Sequence, residues 1–253
     1  MRLRVRFTKH GKVRWTSHRD VARIWERGLR RAELPVAYTE GFSPRPKLSF
    51  GFALPTGYES DAEYLDVSLD DVHRGSGEHD SRAPWPDLDD LPDRLTPALP
   101  EGFAVTAVGP LHPGDPSLQE LVTSCSWWIE LRDVSSSRAT AAVEAALAAR
   151  TLPLVRSRKG HEAVDDLRPG ILSLGVGPIT QDGRPVLLAD LATQPRALRP
   201  SELLAACFPE CTEPLDITHR VRRTHQWFDR DGARQEPLLV MATSQPHALG
   251  ACA

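Results

Sequence analysis

The stretch from Leu3 to Leu34, LRVRFTKHGKVRWTSHRDVARIWERGLRRAEL, changes its hydrophobic period once, and that change sets the architecture. Arg2, Arg4 and Arg6 alternate with Leu3, Val5 and Phe7, which is the period-two pattern of a half-buried strand over residues 2–8. One face is apolar and the other is guanidinium. After the turn-like KHGK, Thr16 or Ser17 can cap a helix over 17–33, with Asp20 in the first turn where a carboxylate suits the dipole. Pro35 ends the helix, because a proline pushes the residue before it out of helical geometry. On a helical wheel Val21, Ile24, Trp25, Gly28, Leu29 and Ala32 gather on one side, and Arg19, Arg23, Arg27 and Arg30 form a stripe on the other.

Working outward, the same alternation of elements repeats. Residues 36–53 read as strands, 62–69 as a strand, about 88–99 as a helix and 103–109 as a strand, giving the order βαββαβ. The second half reads strand 126–132, an Ala-rich helix 137–149, strands 152–158, 163–175 and 185–192, helix 200–208 and strand 217–228. The order is again close to βαββαβ. The expected fold is therefore α+β, with two ferredoxin-like units in tandem, each an antiparallel sheet with helices on one face. The units span 1–115 and 120–230, with a surface insertion at 72–87 and a flexible tail at 231–253. Arg2, Arg4 and Arg6 are expected on the open face of a central strand.

The hairpin GFSPRPKLSFG, Gly41–Gly51, is stiff for a stated reason: Pro44 and Pro46 lack amide donors and hold φ near −65°. Arg45 and Lys47 stand two apart in an extended chain and point the same way. Pre-ordering long cationic side chains lowers the entropy lost when they grip an anion. Charge agrees with placement. Residues 1–50 hold thirteen Lys or Arg against four acids, whereas 51–101 hold thirteen acids against three Arg, although the whole chain is only −3. Such segregation fits either a polyanion site or two segments that pair with each other.

The chain of 253 residues, 40% hydrophobic and 26% charged, has the composition of a folded protein with a real core. Its start offers no apolar run of signal-peptide length, and no later run is long enough to span a bilayer, so a cytoplasmic, non-membrane protein is expected. Cys125, Cys207, Cys211 and Cys252 are too scattered for a disulfide framework.

The stretch Ser17–Leu69 carries SHRD at the helix start, the Arg-rich helix, Tyr38, GFSPRPKLSF, ALPTGYES and EYLDV in one order. In this it closely resembles the N-terminal signature of the radical-SAM-linked protein family of unknown function. That resemblance implies a radical-SAM enzyme as partner. The iron-sulfur cluster and S-adenosylmethionine would then belong to the partner, with no cofactor in this chain. CFPEC supplies only Cys207 and Cys211 where such a cluster needs three cysteines, so the chain does not hold one alone.

Tandem ferredoxin-like units with a basic surface are also similar in architecture to CRISPR-repeat RNA-processing proteins, some of which cut RNA without metal. On that reading His18 and Tyr38 are the catalytic candidates, with His10 and Lys47 in the same half. No metal set, dinucleotide fingerprint or Ser-His-Asp arrangement is apparent. The expected function is that of an accessory protein binding RNA or another anionic substrate through Arg2, Arg4, Arg6, Arg19, Arg23, Arg27, Arg45 and Lys47. A metal-independent RNA endonuclease and a protein-docking scaffold are the alternatives.

Overall fold

The computed structural model describes residues 1–70, 87–158 and 161–238. Strand β1 (Arg2–Lys9) is followed by a 3-10 turn over Gly11–Trp15 and by helix α1 (His18–Arg31). Then come β2 (Leu48–Phe50), β3 (Glu59–Ser68), a short α2 (Leu91–Leu95) and β4 (Phe103–Leu111). A single turn, α3 (Leu118–Leu121), leads to β5 (Ser124–Leu131), α4 (Ser136–Ala148) and the hairpin of β6 (Pro153–Arg158) and β7 (His161–Asp166). The described residues continue with β8 (Ile171–Val176), β9 (Val186–Ala192), α5 (Pro200–Cys207), β10 (Thr218–Arg230) and β11 (Ala233–Gln235).

Among the described residues, nine strands form one sheet in the order β4-β1-β3-β10-β5-β9-β8, with β2 added to β3 and β11 to β10; β6 and β7 pair apart. The described pairings are antiparallel except where β10 meets β3, and that parallel seam has only two register pairs, Arg222 with Glu59 and Arg223 with Ser60. The chain is thus a mixed α+β protein with a large, mostly antiparallel sheet and few helices. Its two halves share that sheet instead of each closing its own. No helix among the described residues is long and apolar enough to cross a membrane.

Two cores lie on one face of the sheet. In the first half Leu3, Val5 and Phe7 meet α1, where fully buried Trp25 sets its edge against Phe7 with ring centroids 4.8 Å apart. α1 can lie so close because Gly28 has no side chain: a Cβ there would stand 2.6 Å from Leu99 Cδ2. In the second half α4 and α5 cover Ile129, Leu187 and Leu191 with Ala139, Val143, Leu203 and Leu204.

Several boundaries move for local reasons. Between 36 and 53 only β2 is a strand, with single bridges at Val36–Leu69 and Tyr38–Pro46, since Pro35, Pro44 and Pro46 cannot donate to a ladder. The expected strand 163–175 is broken by a 3-10 turn at Arg168–Gly170, which contains Pro169. Beyond residue 231 the chain is not wholly tail: β11 pairs back on β10. The expected insertion at 72–87 falls almost entirely outside the described residues, as does the end of the tail.

Candidate nucleic-acid interface

α1 is built as its sequence requires. Ser17 Oγ accepts from the Asp20 amide at 3.2 Å, closing the first turn, and Val21, Trp25, Gly28 and Leu29 are buried. The remaining positions must therefore face water, and Arg19, Arg23, Arg27 and Arg30 are all exposed. Asp20, 3.6 Å from Arg23 Nη1, offsets part of that charge.

The hairpin is ordered through its backbone. The Thr39 amide donates to Arg45 O at 2.8 Å, the Arg45 amide to Thr39 Oγ1 at 3.0 Å and the Lys47 amide to Ala37 O at 2.8 Å. Fixed main chain thus carries two exposed cationic side chains, Arg45 and Lys47. Arg2 joins Lys47 along a hollow of about 310 Å³ floored by Asp66, 3.9 Å from Arg2 Nη2. Sequence reading takes Tyr38 only as a catalytic candidate and leaves Trp15 and Phe42 aside, yet Trp15 is 64% exposed, Tyr38 45% and Phe42 fully so. Their signal was present in the sequence as rings set among Lys and Arg.

Arg4 and Arg6 are a correction. They lie on the face opposite α1, as alternation requires, but that face is not open. Arg4 is 3% exposed and clamps Asp66 through Nε at 2.8 Å and Nη2 at 3.0 Å, while Nη2 also donates to Pro116 O at 3.3 Å. Arg6 reaches the Tyr64 hydroxyl at 3.3 Å, Thr106 Oγ1 at 3.1 Å and Glu236 Oε1 at 3.2 Å. The reason is register: Asp66 and Tyr64 stand directly opposite Arg4 and Arg6 on β3, and Leu118 and Leu238 close over Tyr64 and Ala62. Burial drives the Tyr64 phenol far above its ordinary pKa, keeping it neutral. Arg4 and Arg6 hold the fold and have no surface to offer a polyanion.

His18 is exposed and edge-on to Phe50 at 5.2 Å, while Tyr38 sits in the hairpin bridge to Pro46. No hydrogen bond joins them among the described residues. His10 Nε2 lies 2.9 Å from Asp61 Oδ1, a carboxylate oxygen that can accept its proton. Cys207 is buried, and that burial pushes its thiol up to about 12. Among the described residues no group of three or more His, Cys, Asp or Glu is placed to hold a metal.

The seam between the halves was not legible beforehand. Arg223, 2% exposed on β10, donates Nε and Nη2 to Glu63 Oε1 of β3 at 3.0 and 2.6 Å, and Nη2 also to Phe52 O at 2.7 Å. Beside this pair opens a cavity of about 240 Å³ walled by Phe52, Trp127, Leu198 and Pro200. Lys9, 2% exposed, donates Nζ to the carbonyls of Arg14 at 3.4 Å and Thr16 at 3.1 Å, tying the turn before α1 to the sheet.

Residues 2–200 match the family described as an uncharacterized protein conserved in bacteria (DUF2344). The chain belongs to this family. Comparison with curated proteins gives no match. The DUF2344 match takes in α1, the hairpin and the Glu63 side of the seam, and it stops before β10, which supplies Arg223.

Proposed function

We propose that this chain binds single-stranded RNA through the exposed arginines of α1 and the Tyr38–Lys47 hairpin, as the accessory subunit of a radical-SAM enzyme in the cytoplasm. The observation that carries the RNA reading is the company the cations keep: Trp15, Tyr38 and Phe42 are exposed in the same half as Arg19, Arg23, Arg27, Arg45 and Lys47. Unpaired bases bring both a phosphate and a flat apolar face, and grooves that mix cations with free rings bind both. An acidic protein would engage the same cations, and the stacking of unpaired bases is what gives the free rings beside them a second role. Arg2 extends the surface along the hollow it shares with Lys47.

The radical-SAM partner is supported by the resemblance of Ser17–Leu69, and it would supply the cluster and S-adenosylmethionine. The proposed architecture is two ferredoxin-like units fused edge to edge. The strand orders β4-β1-β3 with β2 on β3, and β10-β5-β9-β8, support that reading, because both place first and third strands at the centre.

The test is a salt titration of fluorescent single-stranded RNA. Each phosphate contact contributes about −0.7 to the log–log slope for a single strand, so Arg45→Ala/Lys47→Ala should remove roughly 1.4 from the slope. Thermal stability should hold, since both side chains are exposed. Unchanged affinity and slope in the double variant would reject the hairpin as a phosphate grip.

A further inference from the structure

Three guanidiniums meet around one buried carboxylate where β10 joins β3. Glu59 is 3% exposed; its Oε1 accepts from the Gly11 amide at 3.0 Å and lies 3.5 Å from Arg14 Nη1. Its Oε2 lies 3.5 Å from Arg220 Nε, 3.9 Å from Arg222 Nε and 3.9 Å from His10 Nδ1. Asp61 alongside is engaged by His10 at 2.9 Å and stands 4.0 Å from Arg222 Nη1.

The pairs that serve the fold elsewhere in this sheet look different. Arg4–Asp66 and Arg223–Glu63 close to 3.0 Å or less, with both guanidiniums almost wholly buried. Around Glu59 the guanidinium contacts are longer than the roughly 2.7–2.9 Å of a charge-assisted hydrogen bond. The Nε atoms of Arg220 and Arg222 are buried with no hydrogen-bond partner among the described residues. A buried donor left unmade is costly, so a network built only for stability would have closed on it. Among the described residues, three permanent cations face two carboxylates. The three side chains keep 26%, 36% and 29% exposure for Arg14, Arg220 and Arg222, so their forks remain reachable. Arg14 lies over the Trp15 ring at 5.2 Å, and Trp15 is 64% exposed.

We propose that this seam is a nucleotide site, with the phosphate held by Arg14, Arg220 and Arg222 and the base stacked on Trp15. A phosphate offers several acceptor oxygens in different directions, which suits donors arriving from two elements, whereas a carboxylate fills one fork. The exposed indole adds what inorganic phosphate cannot use. Glu59 acts as the resident counter-charge, holding the cations together and competing with the ligand. The site shares Trp15 with the proposed RNA surface but none of that surface's cations, so mononucleotide binding and the RNA salt slope of Arg45→Ala/Lys47→Ala test the two separately.

The experiment is calorimetry on the full chain at low ionic strength with adenosine 5′-monophosphate, and with inorganic phosphate as comparator. The nucleotide should bind saturably and more tightly than phosphate. Trp15→Ala, an exposed change that leaves the fold alone, should weaken the nucleotide by at least about fivefold and spare phosphate. Arg220→Lys should weaken both by about tenfold, because a point charge replaces a planar fork. Glu59→Gln keeps an acceptor for the Gly11 amide and removes the competing charge, so it should tighten both. If Arg220→Lys fails to fold, the opposite-signed Trp15 and Glu59 variants still decide. No saturable binding in either the wild type or Glu59→Gln, or an affinity indifferent to these changes, overturns the site and leaves an ion-pair network that only joins the halves.

Discussion

Cutting the ion pair between Glu63 and Arg223 should reveal how firmly the two halves are joined. Arg223 is 2% exposed, and both of its bonds to Glu63 end on the same oxygen, Oε1. At about 3 Å and an effective dielectric of about 20, the gross attraction is on the order of 5 kcal/mol. Glu63→Ala leaves the guanidinium buried with the Phe52 carbonyl as its remaining strong acceptor, and an uncompensated buried charge costs about 3–5 kcal/mol. Glu63→Ala/Arg223→Met removes both charges and keeps an apolar stem against Trp127, whose ring lies 5.5 Å from the guanidinium carbon. The double variant should therefore be less destabilised than Glu63→Ala alone, by about 2–4 kcal/mol.

Urea unfolding of the wild type, both singles and the double closes the cycle, read by tryptophan fluorescence and by far-ultraviolet circular dichroism. Both probes should report the same midpoint, because the sheet runs without a break from β4 to β8. The reasoning is refuted if Glu63→Ala costs less than about 1 kcal/mol. It also fails if the double variant loses the sum of the singles, which would mean that no charge is stranded when either partner goes.

Thiol chemistry and alkaline stability follow from burial in the same way. In a Cys252→Ser background, Cys211 should be alkylated first in the native state, with Cys125 and Cys207 protected until unfolding, because desolvation raises both buried thiols, Cys207 to about 12. Peptide mapping by mass spectrometry reads this, and early labelling of Cys207 would contradict it. Burial lowers the pKa of the Lys9 amine from its ordinary 10.5, with Glu63 opposing the shift and Arg223 adding to it. The unfolded chain then binds more protons than the native one between the lowered value and 10.5, so this contribution to stability rises with pH through that window. The stability of the wild type relative to Lys9→Met should increase there in pH-dependent denaturation; a flat or falling difference would contradict it.

What the sequence could and could not disclose divides along local and non-local physics. Ser17 capping, the buried side of α1 and the exposed Arg19, Arg23, Arg27 and Arg30 depend on neighbours within two turns, and all were legible. So was the alternation of Arg2, Arg4 and Arg6 with Leu3, Val5 and Phe7. Alternation says which residues share a face and nothing about what covers it, and Arg4 and Arg6 were misread for that reason: Asp66, Tyr64 and Leu118 reach them from distant parts of the chain. β10 makes the same point within one strand. In RVRRT, Arg222 and Arg223 are adjacent and alike, yet the parallel register with β3 sets Arg222 beside Glu59 with 29% exposure and turns Arg223 into the core against Glu63. Two register pairs thus separate a structural arginine from a reachable one. Charge segregation between residues 1–50 and 51–101 offers two readings, a polyanion site or internal pairing, and internal pairing accounts for Arg4 but not for the cations that stay exposed. Asp66 neutralises Arg4 within the sheet, whereas the stripe of α1 and the Arg45 hairpin remain in water, where a binding partner can reach them.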